Sequence, residues 1–545
     1  MASSTGNRGI AVISGGSAAN NLVDVFDALR QSKECPLSYI IPISDNGGSS
    51  SELIRIFGGP GIGDVRSESS FPNPSPQTPR GPADFLLNNG PVLTRTSGRL
   101  VRLIPDSSNN SERTAIKLLF NHRLPAEGTA ASQEWLSIVD GTSSLWLSIT
   151  PAKKELTRSF FNMLNLEILK RARPPSSTFD FTSASVGNLF LTGARLFSGS
   201  FESAIYLLGS ICGVQSDIVR VIPAINSNFS HHISATLVNG TVIVGQNSIS
   251  HPSEETALQS PSRVRRPSLL LADGDDLEDT DLSDMSDTVS YEEDHLPGSL
   301  ATLRNKNISF SKHINEDLPS RISRIWYINP YGQEIRPAAN PRVLEALNDA
   351  QAIIYSIGSL YTSILPAVIL RGVGKSIVTS PARHKILILN GSLDRETGPP
   401  SEPFAASDFV EAITRAGEES RGRLHHSAHR RSFESPGSPA TVRPKTPLPY
   451  TSYVTHILHL DGPGTPHVDR ERLAEMGIEA LRLYGRKVTT MQGGQEVVVG
   501  MRYDSNALLQ ALEVVLGKKG DAMVRGGLGS GLGRRNTLEP TRRER

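Results

Sequence analysis

The feature that most constrains this chain is a recurrence. Short apolar runs end in glycine and hydroxyl residues, and a helical pattern follows each. Gly9–Ser14 reads as a buried strand. It leads through Ser14-Gly15-Gly16-Ser17-Ala18-Ala19-Asn20 into Asn21–Gln31, where Leu22, Val25, Phe26 and Leu29 share one helical face. Leu37–Ile43 predicts a second strand, followed by Asp45-Asn46-Gly47-Gly48-Ser49-Ser50-Ser51 and, one helical turn on, Arg55. Ile322–Ile328, Ala352–Ile357 and Lys385–Asn390 predict further strands. Arg158–Arg171, Phe201–Ile211, Leu365–Arg371 and Asp504–Leu516 predict helices, and Asn340-Pro341 opens another. Strands alternating with helices predict an α/β fold, a Rossmann-like, doubly wound and mostly parallel sheet. Ile233–Val238 and Thr241–Gly245 read as an inserted hairpin. The Asn239-Gly240 pair between them tolerates the positive φ of a type I′ turn.

In such a sheet, ligands gather at the carboxyl ends of the strands. The glycines Gly15 and Gly16, with Ser17 and Asn20, let the backbone approach an anion at the positive end of a helix, although a plain strand-to-helix turn uses the same residues. After the second strand, Asn46, Gly47 and Gly48 allow an anion nest, and Ser49 and Ser50 supply hydroxyls. Asp45 can hold a sugar hydroxyl, hold a metal or act as a base. Gly63-Asp64-Val65-Arg66 adds a carboxylate and a guanidinium able to clamp a phosphate bidentately. Asn188 follows a glycine in Ser185-Val186-Gly187-Asn188, residue types that helix caps also use. In Gly358-Ser359-Leu360-Tyr361-Thr362-Ser363, backbone N–H groups together with Ser359, Thr362 and Ser363 can cradle a phosphate without a lysine. The competing reading is a helix cap with extra serines.

The 56 basic and 55 acidic residues leave no overall field favouring nucleic acid or a membrane surface. Cys35 and Cys212 form no disulfide framework and no zinc spacing, and no apolar run reaches the roughly 18 residues that span a bilayer. A cytoplasmic protein in a reducing compartment is the expectation. Four stretches lack the apolar periodicity of folded chain: 67–98 with six prolines, the acidic 251–300, 418–449, and the Gly- and Arg-rich 518–545. We read residues 8–517 as one α/β domain with core blocks 8–66, 99–250, 320–417 and 450–517, interrupted by the first three stretches and followed by a disordered tail. Arg265-Arg266-Pro267-Ser268, Arg430-Arg431-Ser432 and Arg534-Arg535-Asn536-Thr537 match basophilic-kinase patterns, against the simpler reading of solvated charge.

Taken together and in order, these loops resemble the 2-phospho-L-lactate transferase-like (CofD/UPF0052) family. The residues that carry the resemblance are Gly15-Gly16-Ser17, Asp45-Asn46-Gly47-Gly48-Ser49-Ser50, Arg55, Gly63-Asp64-Val65-Arg66, Gly187-Asn188-Leu189, Gly358-Ser359-Leu360-Tyr361-Thr362-Ser363 and Glu396-Thr397 after Asn390. They are most similar to the YvcK-type gluconeogenesis factors, and the long Ser/Pro and acidic insertions suggest a fungal member. Where that branch has two acids, this chain has Asp45-Asn46, and Ser356-Ile357 stands where Gly-Pro precedes the last loop. The resemblance implies a nucleotide or UDP-sugar site built from these loops, with Tyr361 and Asn390 among its residues, and a role in regulating carbohydrate metabolism. It also allows a transferase moving a phosphate-containing group from a nucleoside diphosphate carrier, with Mg²⁺ and with Asp45 and Asp64 as metal or base carboxylates. The lost second acid weakens the metal reading. A homodimer is common in the family. A third reading, independent of the resemblance, is an interaction scaffold that works through its disordered arms.

Overall fold

The computed structural model describes residues 8–15, 18–44, 49–61, 111–172, 178–251, 317–423, 448–492 and 495–517. Residues 1–7, Gly16, Ser17, residues 45–48, 62–110, 173–177, 252–316, 424–447, 493–494 and 518–545 lie outside them, and so do the kinase-type motifs and most of the stretches expected to be disordered.

Among the described residues, thirteen strands occur in chain order: β1 (Gly9–Ile13), β2 (Leu37–Ile41), β3 (Val219–Pro223), β4 (His232–Leu237), β5 (Val242–Val244), β6 (Ile322–Ile328), β7 (Glu334–Ile335), β8 (Ala350–Tyr355), β9 (His384–Ile388), β10 (His456–His459), β11 (Glu479–Arg482), β12 (Gly485–Gln492) and β13 (Gln495–Tyr503). Seven of them form one sheet in the order β11-β10-β9-β8-β1-β2-β3. Every neighbouring pair in it is parallel. The central strands are buried on both faces, which is why Ile10–Ile13 and Ile353–Tyr355 are unbroken apolar runs rather than alternating ones. From β1 the chain steps outward to β2 and β3, then returns to β8 on the other side of β1. The sheet is therefore doubly wound, and its topological switch point falls between β1 and β8.

The helices are α1 (Val23–Lys33), α2 (Ser49–Phe57), α3 (Ser111–Asn121), α4 (Gly128–Asp140), α5 (Pro151–Arg171), α6 (Val186–Ser198), α7 (Phe201–Cys212), α8 (Gln246–Ser250), α9 (Pro341–Asn348), α10 (Leu365–Val368), α11 (Val373–Thr379), α12 (Ala406–Ser420), α13 (Arg470–Glu475) and α14 (Ser505–Leu516). Between β2 and β3 the chain makes no strand among the described residues. Helices α4 to α6 there share an aromatic core in which Trp135, Phe160, Phe161 and Phe190 meet edge to face at 5.3–6.1 Å. Gly193 lets α6 and α5 touch, since a Cβ there would stand 2.2 Å from the Phe160 carbonyl oxygen.

Two local expectations need correction. The hairpin between β4 and β5 exists, but its loop has three residues, closed by Leu237 N–H donating to Thr241 O at 2.8 Å. Only Gly240, at φ +88°, is left-handed, so this is not a type I′ turn. The Asn239 side chain instead accepts from Thr241 N–H at 3.0 Å and fixes the loop as an Asx turn. The third insertion also begins later than residue 418. Glu418, Glu419 and Ser420 form the last turn of α12, and buried Glu418 accepts from Tyr453 Oη at 2.8 Å.

Candidate nucleotide site at the switch point

The strand ends at the switch point are tied to one another. Ser14 N–H donates to Ile40 O, and Ser356 N–H donates to Ile13 O, both at 3.0 Å. Beyond them the loop after β1 runs against the loop after β8. A Cβ on Gly15 would lie 2.9 Å from Ser363 O and 2.8 Å from Pro42 Cγ, which places Gly15 between the exits of β2 and β8. Gly358 has φ +145°, and a Cβ on it would meet Gly15 O at 3.0 Å. No L side chain fits either position, so glycine here reflects contact between two loops as well as turn geometry. The loop after α2 returns to the same corner, where Gly61 N–H donates to Ile43 O at 2.9 Å.

The loop after β8 is held from two sides. The Asn390 side chain, just past β9, pairs with both backbone groups of Gly358. Its Oδ1 accepts from Gly358 N–H at 2.8 Å, and its Nδ2 donates to Gly358 O at 3.0 Å. Residues Leu360–Ile364 then wind as a π-helical turn, a form concentrated at functional sites. Glu396 Oε2 accepts from Tyr361 N–H at 3.0 Å and Thr362 N–H at 3.1 Å, while Oε1 takes the hydroxyls of Thr362 and Ser250, the latter at 2.7 Å. The N–H groups expected to cradle a phosphate thus receive a carboxylate of the chain itself. This corrects the role read for Thr362 and for the Tyr361 amide, which hold the loop in place. The Tyr361 ring is buried and its hydroxyl donates to Ile322 O at 3.0 Å, directed into the core.

Glu396 is 1% exposed. Burial first, and the charge of Asp394 second, push its carboxyl up to about 8. Asp394, which keeps part of its surface in solvent, is also raised by burial, against a hydrogen bond from Ser359. Asp394 Oδ1 in turn accepts from Glu396 N–H at 3.2 Å, so the two acids and Ser359 form one connected group at the rim of the loop. Helix α8 completes the corner, with buried Gln246 accepting from Ser44 Oγ at 2.7 Å beyond β2 and Ser250 reaching Glu396.

The remaining expected site residues fall as follows. Asn20 and Ser50 are buried in the turns that follow β1 and β2. Asn188 is buried in the first turn of α6, where its N–H donates to the Ser185 cap at 3.3 Å. Arg55 forms a two-pronged pair with Glu52 at 2.7 Å and also donates to Thr178 O at 2.8 Å. Its side chain is 5% exposed, so its charge is met inside the protein. Gly16, Ser17, Asp45, Asn46, Gly47, Gly48, Asp64 and Arg66 lie outside the described residues, as does the side chain of Ser49. Sequence reasoning did not single out Asp394, Gln246, Ser250 or Glu52, and it met Glu396 only as part of the family resemblance. Only Glu396 had a signal, the Glu396-Thr397 step that follows Asn390.

A doubly wound parallel sheet with glycine loops abutting at its switch point defines a class, the open-sheet α/β proteins. The comparisons with known proteins narrow the class. The family described as 2-phospho-L-lactate transferase CofD matches residues 10–480, and the chain belongs to it. An uncharacterized protein of Saccharomyces cerevisiae is 40% identical over 389 residues, 71% of this chain and 79% of its own length. A Deinococcus radiodurans protein, named as a candidate gluconeogenesis factor, is 36% identical over 105 residues, 19% of this chain and 21% of its own length. The crystal structure of protein BH3568 from Bacillus halodurans shares the fold at a TM-score of 0.50 and 16% identity, covering 93% of this chain and all of that one. Among the described residues, no helix is long and apolar enough to cross a membrane.

Proposed function

We propose that this protein binds a nucleotide or UDP-sugar at the switch-point corner and regulates carbohydrate metabolism in the cytoplasm. The observation that carries this reading is the contact of Gly15 with Ser363 and of Gly358 with Gly15 O, which brings two glycine-and-hydroxyl loops to one edge. The backbone around Gly15 and the hydroxyl of Ser363 would meet the diphosphate. Ser359 would bridge it to Asp394, and Asp45 would hold the sugar or base. Glu396 and Asn390 position the loop and do not touch the ligand.

A second reading, a transferase moving a phosphate-containing group, is favoured by the family's description and by the neighbouring acids Asp394 and Glu396, whose charges act on one another. Such chemistry would use Mg²⁺. Among the described residues no group of three His, Cys, Asp or Glu side chains can hold a metal, and both Glu396 oxygens are already hydrogen-bonded. Calorimetric titration with UDP-glucose and GDP, with and without Mg²⁺, separates the two readings. Saturable binding without turnover supports the regulator, and metal-dependent consumption supports the transferase. The absence of binding in both conditions refutes both.

A further inference from the structure

A cavity of about 860 Å³ lies along β3, the strand at one edge of the large sheet. Its volume is within the range of roughly 300–1,000 Å³ usual for small-molecule sites. Its lining includes Gln215–Ile218, which lead into β3, whereas the switch-point loops follow the other ends of their strands. The apolar part of the lining includes buried Ile205 of α7 and the partly exposed Val214 and Ile218, and Ile218 lies two residues before Arg220, on the same face by strand alternation.

The charges in this cavity are distributed unevenly. Arg342 of α9 is already satisfied: its guanidinium stacks on the Tyr206 ring at 4.9 Å, donates to the Tyr206 hydroxyl and faces Glu202 at 3.4 Å. Arg220 of β3 is only partly exposed and lines the same cavity. Among the described residues its side chain makes no hydrogen bond and no ion pair. A half-buried guanidinium beside apolar walls, with none of its five donors engaged, is poised for an anionic acceptor, best a planar two-oxygen group. Asp217 and Glu345, both exposed, also line the cavity. Their repulsion disfavours a dianion such as a phosphate ester or a diphosphate and leaves a single carboxylate as the better match.

We propose that the groove over β3 is a binding site for a small apolar monocarboxylate, its carboxylate on Arg220 and its apolar body against Ile205, Val214 and Ile218. The site is separate from the switch-point corner and does not depend on the nucleotide reading.

The test uses 3-phenylpropanoate as the probe, titrated calorimetrically into the full chain alone and after saturation with UDP-glucose. Two variants accompany the wild type. Arg220→Gln removes the cation. Ser210→Trp fills the groove from its exposed rim without touching the core. The expected result is one saturable site that UDP-glucose leaves unchanged and that weakens about tenfold or more in each variant, the loss of a charge-assisted hydrogen-bond pair. Circular dichroism confirms that the variants are folded. Absence of saturable binding at millimolar probe, or unchanged affinity in both folded variants, overturns the proposal. Arg220-dependent binding of inorganic phosphate tighter than that of the carboxylate overturns the monoanion assignment.

Discussion

The Cβ that Gly15 lacks would lie 2.9 Å from the carbonyl oxygen of Ser363, two residues that are 348 positions apart in sequence and meet across the switch point. The contact is backbone on one side, so no rotamer change can relieve it. Gly15→Ala is expected to push the loop after β8 away from β1, at about 1–3 kcal/mol of stability for an overpacked site. Under the proposed function it also abolishes UDP-sugar binding. Thermal unfolding and calorimetry on the same preparation check both, and an alanine variant that binds as the wild type does would remove the corner from the ligand site.

Asn390 acts on the same loop from β9, and its effect should separate affinity from stability. Asn390→Ala removes the two hydrogen bonds to Gly358 at 2.8 and 3.0 Å. Each is worth about 1 kcal/mol net. The loop is then less ordered before binding, so the expected outcome is a rise of about tenfold in Kd with a modest fall in Tm. Asn390→Asp keeps one acceptor for Gly358 N–H and should fall between the two.

Glu396 sets an alkaline limit on stability. Its folded-state carboxyl is raised from 4.5 to about 8, so the folded protein holds a proton that the unfolded chain releases. The associated stability is full below pH 4.5 and is lost as pH rises towards 8. Glu396→Gln cannot titrate. It is expected to be less stable than wild type at acid pH, where it disturbs the bonds to Tyr361, Thr362 and Ser250, but to show a flatter Tm between pH 5 and 8 (about the span between those two values). Parallel Tm–pH slopes for the two proteins would show that Glu396 stays ionised, with its four donors outweighing burial.

The central strands β1, β2, β8 and β9 were legible because buried parallel strands must be unbroken apolar runs and their exits must bend sharply, as at Gly15 and Gly358, whereas the outer strands β3, β10 and β11 were not read from the sequence. The loop contents were less legible. A helix N-terminus needs an acceptor, and nothing local says whether a ligand or a distant side chain supplies it. Here Glu396, some 35 residues downstream of Tyr361, fills that need. Arg55 misled for a related reason, since its partner Glu52 lies one turn back in the same helix and burial of the pair was invisible in one dimension. The turn at Asn239-Gly240 failed on geometry, because Gly240 takes the left-handed conformation alone while Asn239 serves as an acceptor.

The close approach of α5 and α6 offers a test of packing well away from the site. A Cβ at Gly193 would stand 2.2 Å from Phe160 O and 3.3 Å from Leu164 Cβ, so Gly193→Ala must part the two helices by about an ångström or bend one of them. Alanine's better helix propensity, about 1 kcal/mol over glycine, works in the opposite direction. The clash should win because Phe160 and Phe190 meet edge to face across this interface at 5.3 Å and lose contact when it opens. A net destabilisation of about 1–3 kcal/mol is expected by denaturant unfolding, with nucleotide affinity unchanged.

An acid limit comes from His232 in β4, whose buried imidazole is held neutral, lowered from 6.5 to about 4 by burial first and by the neighbouring His231 second. The unfolded chain therefore takes up a proton that the folded one refuses. The stability concerned is full above pH 6.5 and is lost as pH falls through 4, up to about 3 kcal/mol. His232→Gln removes the titration, so its unfolding free energy should fall less steeply than that of the wild type over that interval. Because Glu396 gains stability over much of the same range, the comparison is best made in a Glu396→Gln background, where the acid slope left over belongs chiefly to His232. A double variant as acid-sensitive as the Glu396→Gln single variant would place the imidazole in contact with water and assign the acid limit elsewhere.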